Sequence, residues 1–367
     1  MAKITFLIAQ LIPLKVQKLT LHYFKNHADL HLNFKEVVGI AGLNGVGKTS
    51  ILDALYFLCL GKSYFSATDT QCIQTNQLQT GIIAEILIPQ PINLKIKLKR
   101  GAKKIIEKNG TPYKKLAEHI GTFSAVVIAP NDIELIYGTN EKRRSFINQI
   151  ICQIDRNHLQ QLISYNKLIE HRNKHLKEDS IDITLLNAFD DQISPLAKSI
   201  HARRKKFFQE FSTLFQTNYH QISEDKEHIE LEYVSQLSSS TYKELTETNH
   251  AKDVALGRSN SGIHKDEIDI RLNELNLRKF GSQGQIKSAL IALKLAEFDY
   301  LRQQNSNLPI LLLDDIFEKI DEERAKVLTR IIKNGKFGQI FITDTSINRI
   351  ESFCKEIGKS YNTLKLN

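Results

Sequence analysis

The segment from Gly42 to Thr49 has the residue types and spacing of a loop that binds phosphate groups. It reads Gly-Leu-Asn-Gly-Val-Gly-Lys-Thr and fits the P-loop pattern G-x-x-x-x-G-K-[ST]. In such a loop, backbone N–H groups and the start of the following helix converge on an anion. Lys48 would reach the β- and γ-phosphates, and the Thr49 hydroxyl would bind Mg²⁺. The predicted nucleotide contacts here are Gly42, Leu43, Asn44, Gly45, Val46, Gly47, Lys48, Thr49 and Ser50.

A pair of carboxylates follows an apolar run much later in the chain. Residues 309–313 read Pro-Ile-Leu-Leu-Leu, and Asp314 and Asp315 come directly after them. An aspartate at the end of a buried strand is what a P-loop enzyme uses to hold Mg²⁺. The next carboxylate can accept a proton from the attacking water as a general base. The sequence therefore predicts Asp314 as a metal ligand beside Thr49, and Asp315 and Lys48 as catalytic residues.

A serine and a glycine open a predicted helix shortly before these carboxylates. The segment reads Ser282-Gln283-Gly284-Gln285, and its hydroxyl and N–H groups could contact a phosphate. Alone it is a weak signal, because many helices begin in this way. Followed by the carboxylate strand, it is similar to the signature loop of the ATP-binding-cassette superfamily. In that superfamily the loop of one subunit completes the nucleotide site of another.

Hydrophobic periodicity predicts the elements that would position these residues. Residues 37–41 are a short apolar run typical of a buried parallel strand, and a helical pattern follows Thr49. Alternating residues predict antiparallel strands at 14–34, 81–87 and 92–98, and 123–129 resembles a second buried strand. Helical spacing over 141–177 and from 185 onwards predicts two long antiparallel helices, too short for a coiled-coil arm.

We therefore predict an α/β fold: a P-loop, cassette-type ATPase head with an antiparallel β subdomain and an inserted helical lobe. The predicted boundaries are 1–130 for the first part of the head, 131–260 for the helical lobe and 261–367 for the second part of the head. Residues 1–13 are predicted to be a short extension rather than a signal peptide, because their apolar run is short and has no clear cleavage site.

Composition sets limits on the partners of the chain. Its net charge of +9 favours a polyanionic partner such as nucleic acid. The four cysteines are scattered without metal-binding spacing, so we expect reduced thiols in a cytoplasmic protein. No apolar run approaches the length of a membrane span, and no membrane partner is expected.

Several further segments agree with one family. They are Phe24-Lys25-Asn26-His27, Pro130-Asn131-Asp132, Arg143-Arg144, His171-Arg172-Asn173, Gly262-Ile263-His264-Lys265-Asp266 and Ala292-Leu293-Lys294-Leu295-Ala296-Glu297. Together with the P-loop and the carboxylate strand, they make the sequence from about Leu14 to near its end resemble the RecF family of bacterial recombination mediators. This family lies in the cassette superfamily but lacks the long coiled coil.

The resemblance implies an ATP-dependent homodimer that binds DNA at single-strand gaps, hydrolyses ATP slowly, cooperates with RecR and RecO, and helps load recombinase. It implies nucleotide contacts outside the P-loop at Lys25, Asn26, Ser282, Gln283, Gly284, Gln285 and Asp321. Lys25 stands where the family usually has arginine, which keeps the charge but loses the planar fork. Asn131 occupies the place of a Mg²⁺-sensing glutamine of related ATPases.

Clusters of basic residues are candidates for DNA phosphate contacts. They are Arg143, Arg144, Arg203, Arg204, Lys205 and Lys206. A solvated helix face is the alternative interpretation of such charge runs. Because no aromatic residues are interspersed among them, we expect contacts to the DNA backbone rather than base stacking.

Three other functions stay open from the sequence. A transporter-type cassette ATPase would also have the P-loop and the carboxylate strand, although the helical insertion and the missing histidine switch count against it. A P-loop kinase for a small metabolite would need no signature loop. A scaffold that binds ATP without hydrolysing it would not need Asp315.

Overall fold

The computed structural model describes residues 12–223 and 227–366. Most of the predicted amino-terminal extension, residues 1–11, lies outside these ranges. The strands are β1 (Ile12–Pro13), β2 (Lys15–Phe24), β3 (His27–Asn33), β4 (Val37–Ala41), β5 (Gln79–Ile88), β6 (Gln90–Lys99), β7 (Ile105–Lys108), β8 (Thr111–Pro112), β9 (Ala125–Ile128), β10 (Ile229–Val234), β11 (Glu267–Leu272), β12 (Leu275–Asn276), β13 (Asn307–Leu308), β14 (Ile310–Leu313), β15 (Ile340–Asp344) and β16 (Tyr361–Lys365). The helices are α1 (Lys48–Leu60), α2 (Leu116–His119), α3 (Glu134–Tyr137), α4 (Asn140–Ile154), α5 (Arg156–His175), α6 (Ile183–Ser223), α7 (Tyr242–Leu256), α8 (Leu277–Phe280), α9 (Gln283–Gln304), α10 (Ile316–Lys319), α11 (Glu322–Asn334) and α12 (Ile347–Ile357).

The chain folds into two compact units. The first unit contains residues 1–131 and 297–367, and the second contains residues 132–296. The predicted boundary at 260 differs from this division, because residues 261–296 belong to the second unit. The reason is that β11 pairs with β10 in an antiparallel sheet, and Lys294 of α9 lies 4.9 Å from the centre of the Phe146 ring of α4.

The first unit contains two large sheets and a pair of short parallel strands, β1 and β13. Five parallel strands form one sheet in the order β16-β4-β15-β14-β9. The other is the predicted antiparallel sheet, in the order β3-β2-β5-β6-β7-β8. In the parallel sheet, Leu313 is in register with Ile128 and Ile342, and Ala41 with Asp344. The carboxyl ends of β4, β14 and β15 therefore meet at one edge.

Helix α1 packs in the core that both sheets of the first unit share. Every residue of α1 except Thr49 is buried, which fits a helix that is apolar on almost all sides. Its neighbours in the core include Leu21 of β2, Ile82 of β5 and Leu312 of β14. Because the helix is enclosed, its amino-terminal end is held firmly at the edge where the strands finish.

The second unit is mainly helical. The long helix predicted over 141–177 is two helices, α4 and α5, because the Asp155 carboxylate accepts hydrogen bonds from the backbone N–H groups of Asn157 and His158 and starts a new helix. Helices α5 and α6 run antiparallel, as predicted: Arg172 pairs with Asp190, and Gln161 pairs with Ser199. Pro195 lies inside α6.

Two predictions from composition can be compared with the structure. All four cysteines are buried and have free thiols, in agreement with the expectation of reduced core cysteines. Across residues 12–223 and 227–366, no helix combines the length and the apolar character needed to cross a membrane.

Candidate nucleotide-binding site

The P-loop connects β4 to α1 through two glycines with left-handed backbones. Gly45 has φ 87° and Gly47 has φ 102°, and both values favour glycine over residues with a side chain. A Cβ atom on Gly47 would also lie 2.5 Å from His27 Nε2. Gly45 and Gly47 are therefore required by the backbone conformation of the loop as well as by its phosphate-binding pattern.

The ammonium group of Lys48 lies against the P-loop. Its Nζ donates a hydrogen bond of 2.8 Å to the Gly42 carbonyl and lies 3.4 Å from both the Leu43 carbonyl and Asn44 Oδ1. Asp315 Oδ1 is 3.8 Å away. Lys48 is only 3% exposed, so its charge is held where a phosphate would meet the loop.

Asp314 lies between two threonines at the edge of the parallel sheet. The Thr49 hydroxyl donates to Asp314 Oδ1 and Oδ2 at 2.9 and 3.1 Å, and the Thr343 hydroxyl donates to Oδ1 at 2.9 Å. Burial raises the pKa of Asp314 to about 6, although both hydroxyls and Lys48 act in the opposite direction. A hydroxyl and a buried carboxylate are the hard oxygen ligands that Mg²⁺ prefers, so these residues fit the predicted metal site.

Asp315 has a strained backbone at the mouth of the site. Its φ is 43°, a left-handed conformation that is uncommon for a residue with a side chain. Its N–H donates to Thr343 Oγ1 at 2.9 Å. The residue lines a cavity of ≈ 130 Å³ together with Asn26, Asn44, Gly45, Gly47, Lys48, Thr49 and Ser50. The structure thus brings eight of the predicted nucleotide-binding and catalytic residues to one cavity.

The turn between β2 and β3 holds the P-loop and α1. Asn26 Nδ2 donates to the Gly45 carbonyl at 2.9 Å, and the Ser50 hydroxyl donates to Asn26 Oδ1 at 3.1 Å. His27 Nε2 lies 3.0 Å from the Gly47 carbonyl. Asn26 of the turn and His27 at the start of β3 therefore hold different parts of the P-loop segment.

Lys25 does not line the cavity, contrary to the contact predicted for it. Its Nζ pairs instead with Asp53 Oδ2 at 2.6 Å, and Asp53 is completely buried in α1. The Asp53 carboxylate also accepts hydrogen bonds from the Ser63 hydroxyl and the Tyr64 N–H. Lys25 thus supports the helix behind the P-loop in this structure.

Three residues of this site are missing from the sequence-based set. His27 contacts the P-loop, Asp53 anchors Lys25, and Thr343 links Asp314 to Asp315. The sequence could have indicated Asp53 as a site residue, because it is a charged residue inside the otherwise apolar helix α1. His27 and Thr343 offer no pattern of their own, because their contacts come from elements distant in sequence.

Two further predicted residues, Asn131 and Asp321, do not line the cavity. Asn131 is exposed in the turn after β9, whose carboxyl end pairs with that of β14. Asp321 caps α11 and accepts hydrogen bonds from the Arg324 backbone N–H at 3.0 Å and from its guanidinium at 2.5 Å. Metal binding by Asn131 and nucleotide contact by Asp321 therefore remain predictions.

The predicted signature loop lies in the second unit at the start of α9. The Ser282 N–H donates to Gln285 Oε1 at 2.7 Å, and the Gln285 N–H donates to the Ser282 hydroxyl at 3.2 Å, which is a capping-box arrangement. Gln283 Nε2 lies 3.4 Å from the Tyr137 hydroxyl, and Ser282 and Gln283 are exposed. Residues 282–285 therefore form a capped helix start in which Ser282 and Gln283 are exposed to solvent and Gly284 and Gln285 are half-buried.

Two of the predicted DNA-contacting residues are structural, which corrects their assignment. Arg143 is 9% exposed and donates to the carbonyls of Leu135, Ile136 and Gly138. Arg204 is 2% exposed and pairs with Asp266 at 2.5 Å. Buried guanidinium groups with satisfied donors cannot reach a DNA phosphate.

The other four basic candidates reach the surface to different degrees. Lys205 and Lys206 are exposed, and Arg203 is exposed and pairs with Asp155. Arg144 is half-buried and donates to the Asp266 carbonyl at 2.6 Å. The basic run at 203–206 thus contains one buried residue, Arg204, and three residues that are exposed to solvent.

Comparisons with known proteins show the family of the chain. A family profile described as "AAA domain" matches residues 18–365. The DNA replication and repair protein RecF of Flavobacterium johnsoniae is 38% identical over 357 residues, covering 96% of this chain and 99% of that protein. The chain belongs to the RecF family.

Solved structures support the family assignment and the fold. The structure of the recombination mediator protein RecF-ATPrS in the RecFOR pathway has a TM-score of 0.87 at 25% identity, covering 98% of both chains. An Smc head domain from Pyrococcus furiosus has a TM-score of 0.53 at 14% identity, over 93% of this chain and 92% of that one. This second similarity concerns the fold alone and confirms the predicted ATPase-head architecture.

Proposed function

We propose that this RecF-family chain is an ATP-switched DNA-binding protein of replication and recombinational repair. The observation that carries the proposal is the cavity in which Lys48, Thr49 and Asp315 meet, with Asp314 beside it. Relatives named as DNA replication and repair proteins, and RecF structures with ATP, support the same conclusion.

The residues of the cavity define how ATP would be bound and used. Lys48 and the P-loop N–H groups would bind the phosphates, and Thr49 and Asp314 would hold Mg²⁺. Bound Mg²⁺ would neutralise phosphate charge and favour the ionised form of Asp314. Asp315 would accept the proton of the attacking water. We expect a weak, DNA-dependent ATPase activity that works as a switch.

The exposed helix start at Ser282 supports a head-to-tail homodimer. In this arrangement Ser282 and Gly284 of one subunit would contact the phosphates bound by the other, with Gln283 and Gln285 beside them. ATP would then join two subunits, and hydrolysis would release them. The dimer would clamp the DNA backbone at single-strand gaps, together with RecR and RecO, in the cytoplasm.

The proposal is tested by sedimentation of the chain with ATP and Mg²⁺, with and without gapped duplex DNA. We expect ATP-dependent dimers that bind DNA. Lys48→Arg should weaken dimer formation by disturbing the phosphate contacts, and Ser282→Arg should abolish it by blocking the helix start. Asn157→Ala, a change in the second unit away from these contacts, is the matched control.

A chain that stays monomeric with ATP and ignores DNA under every condition would contradict the clamp. Phosphoryl transfer from ATP to a small metabolite by such a monomer would instead support a kinase.

A further inference from the structure

A loop of the second unit, residues 258–266, is built on buried ionic groups. Asp253 is completely buried, pairs with Arg172 Nη1 at 2.8 Å and accepts hydrogen bonds from the Asn260 N–H and side-chain amide. The Ser259 hydroxyl lies 2.9 Å from Arg172 Nη1. These contacts fix the first half of the loop.

Asp266 fixes the other end of the loop. Its Oδ2 accepts hydrogen bonds from Arg204 Nη1 at 2.5 Å and from the Tyr233 hydroxyl at 2.6 Å. His264, between the two ends, lies with Nδ1 2.7 Å from the Tyr165 hydroxyl and Nε2 3.1 Å from the Ser259 carbonyl. His264 therefore has a structural role, and the loop has little freedom to rearrange.

Four cations surround this rigid loop. Lys265 belongs to it, Arg258 begins it, and Lys252 precedes it on α7. Arg144 of α4 reaches the loop through its bond to the Asp266 carbonyl at 2.6 Å. Lys252 and Arg258 are exposed, whereas Lys265 and Arg144 are half-buried.

The two buried carboxylates of this region are paired with other groups, whereas Glu141 and Glu267 remain near Arg144. Asp253 is committed to Arg172, and Asp266 is committed to Arg204. In the described part of the chain, the side chains of Lys252, Arg258 and Lys265 form no ion pair. Burial and the charges of Arg258, Arg144 and Lys252 lower the pKa of Lys265, although the Asp253 carboxylate acts in the opposite direction.

We propose that Lys265, Arg258, Arg144 and Lys252 form a binding site for backbone phosphates of DNA. Cations that form no ion pair among the described residues favour an anion, and a bound phosphate would neutralise them. The spread of the four groups over α4, α7 and the loop suits a polyanion that passes across them. The identity of the ligand as DNA rests on the function proposed above.

The test compares Lys265→Ala/Arg258→Ala with Lys198→Ala, which removes an exposed lysine from α6 of the same unit. DNA affinity is measured by fluorescence anisotropy over a salt series, with ATP and Mg²⁺ present. Loss of two phosphate contacts should reduce the dependence of log Kobs on log[salt] by about two and weaken binding about tenfold or more. Lys198→Ala should change neither, and Lys265→Arg should retain most of the binding.

Three other outcomes would contradict the proposed DNA-binding site. If the double variant binds DNA with the affinity and salt dependence of Lys198→Ala, the four cations are not a DNA site. If it loses ATP affinity instead, they bind nucleotide phosphates. If the unchanged chain binds no DNA, the proposed function fails as well. Thermal unfolding of the double variant close to that of the unchanged chain would exclude misfolding as the cause of lost binding.

Discussion

Asp315 combines a chemical role with an unusual backbone. Its left-handed conformation places its N–H on the Thr343 hydroxyl and leaves its carboxylate at the cavity. Aspartate and asparagine tolerate this conformation better than most residues. Replacement by asparagine should therefore remove the base while keeping the backbone.

We predict that Asp315→Asn lowers the rate of ATP hydrolysis by about 100-fold or more, the usual contribution of a general base. ATP affinity should stay within about threefold, because Lys48 and the P-loop N–H groups are unchanged. Steady-state ATPase assays and titration with a fluorescent ATP analogue measure the two effects. Hydrolysis at the original rate would show that Asp315 is not the base.

At the scale of elements, the β2–β3 turn stabilises the site through a buried ion pair. Lys25 Nζ lies 2.6 Å from Asp53, and its side chain is 14% exposed. Removing one member of such a pair leaves an uncompensated buried charge, which costs more than the pair contributes. The turn, the P-loop and α1 should therefore lose stability together.

We predict that Lys25→Met lowers the free energy of unfolding by about 3 kcal/mol, because Asp53 stays buried without its cation. Lys25→Met/Asp53→Asn should recover at least about 1 kcal/mol relative to the sum of the single changes, since it removes both charges. Urea denaturation of the four proteins in this cycle measures the coupling. Strict additivity would mean that the ion pair does not stabilise the fold.

At the scale of the whole molecule, the proposed dimer requires two different surfaces of each chain. The P-loop lies in the first unit, and the helix start at Ser282 lies in the second. In a head-to-tail dimer each nucleotide would contact both surfaces, one from each subunit. A defect in one surface should therefore be complemented by a partner that keeps it.

We predict that mixing Lys48→Arg and Ser282→Arg restores part of the ATP-dependent dimer, which Lys48→Arg alone forms weakly and Ser282→Arg alone does not form. A mixed dimer would contain one intact site, built from the P-loop of the Ser282→Arg subunit and Ser282 of the Lys48→Arg subunit. Sedimentation of the mixture with ATP and Mg²⁺ measures the recovery. Absence of any mixed dimer would argue against contacts between subunits through Ser282.

The sequence was sufficient for the parts of the fold and the site that depend on neighbouring residues. The P-loop, the strand before it and the carboxylate pair after β14 follow from local patterns of glycine, apolar and charged residues. Helix α7 was not predicted, because its buried residues are Tyr242, Thr246 and Asp253 and give no apolar period. The break at Asp155 was also missed, because apolar periodicity continues across it.

Tertiary structure alone decided which polar residues serve the site and which are buried supports. Arg143 and Arg204 look like surface charges in the sequence, but carbonyls of the segment before α4 enclose Arg143, and Arg204 pairs with the distant Asp266. Lys25 pairs with Asp53 because of the way α1 packs. Thr343 contacts both Asp314 and Asp315 because the strand register places β15 beside β14. Sequence spacing determines which residues belong to a local motif. The partners of a buried charge come from other elements, and only folding brings them next to it.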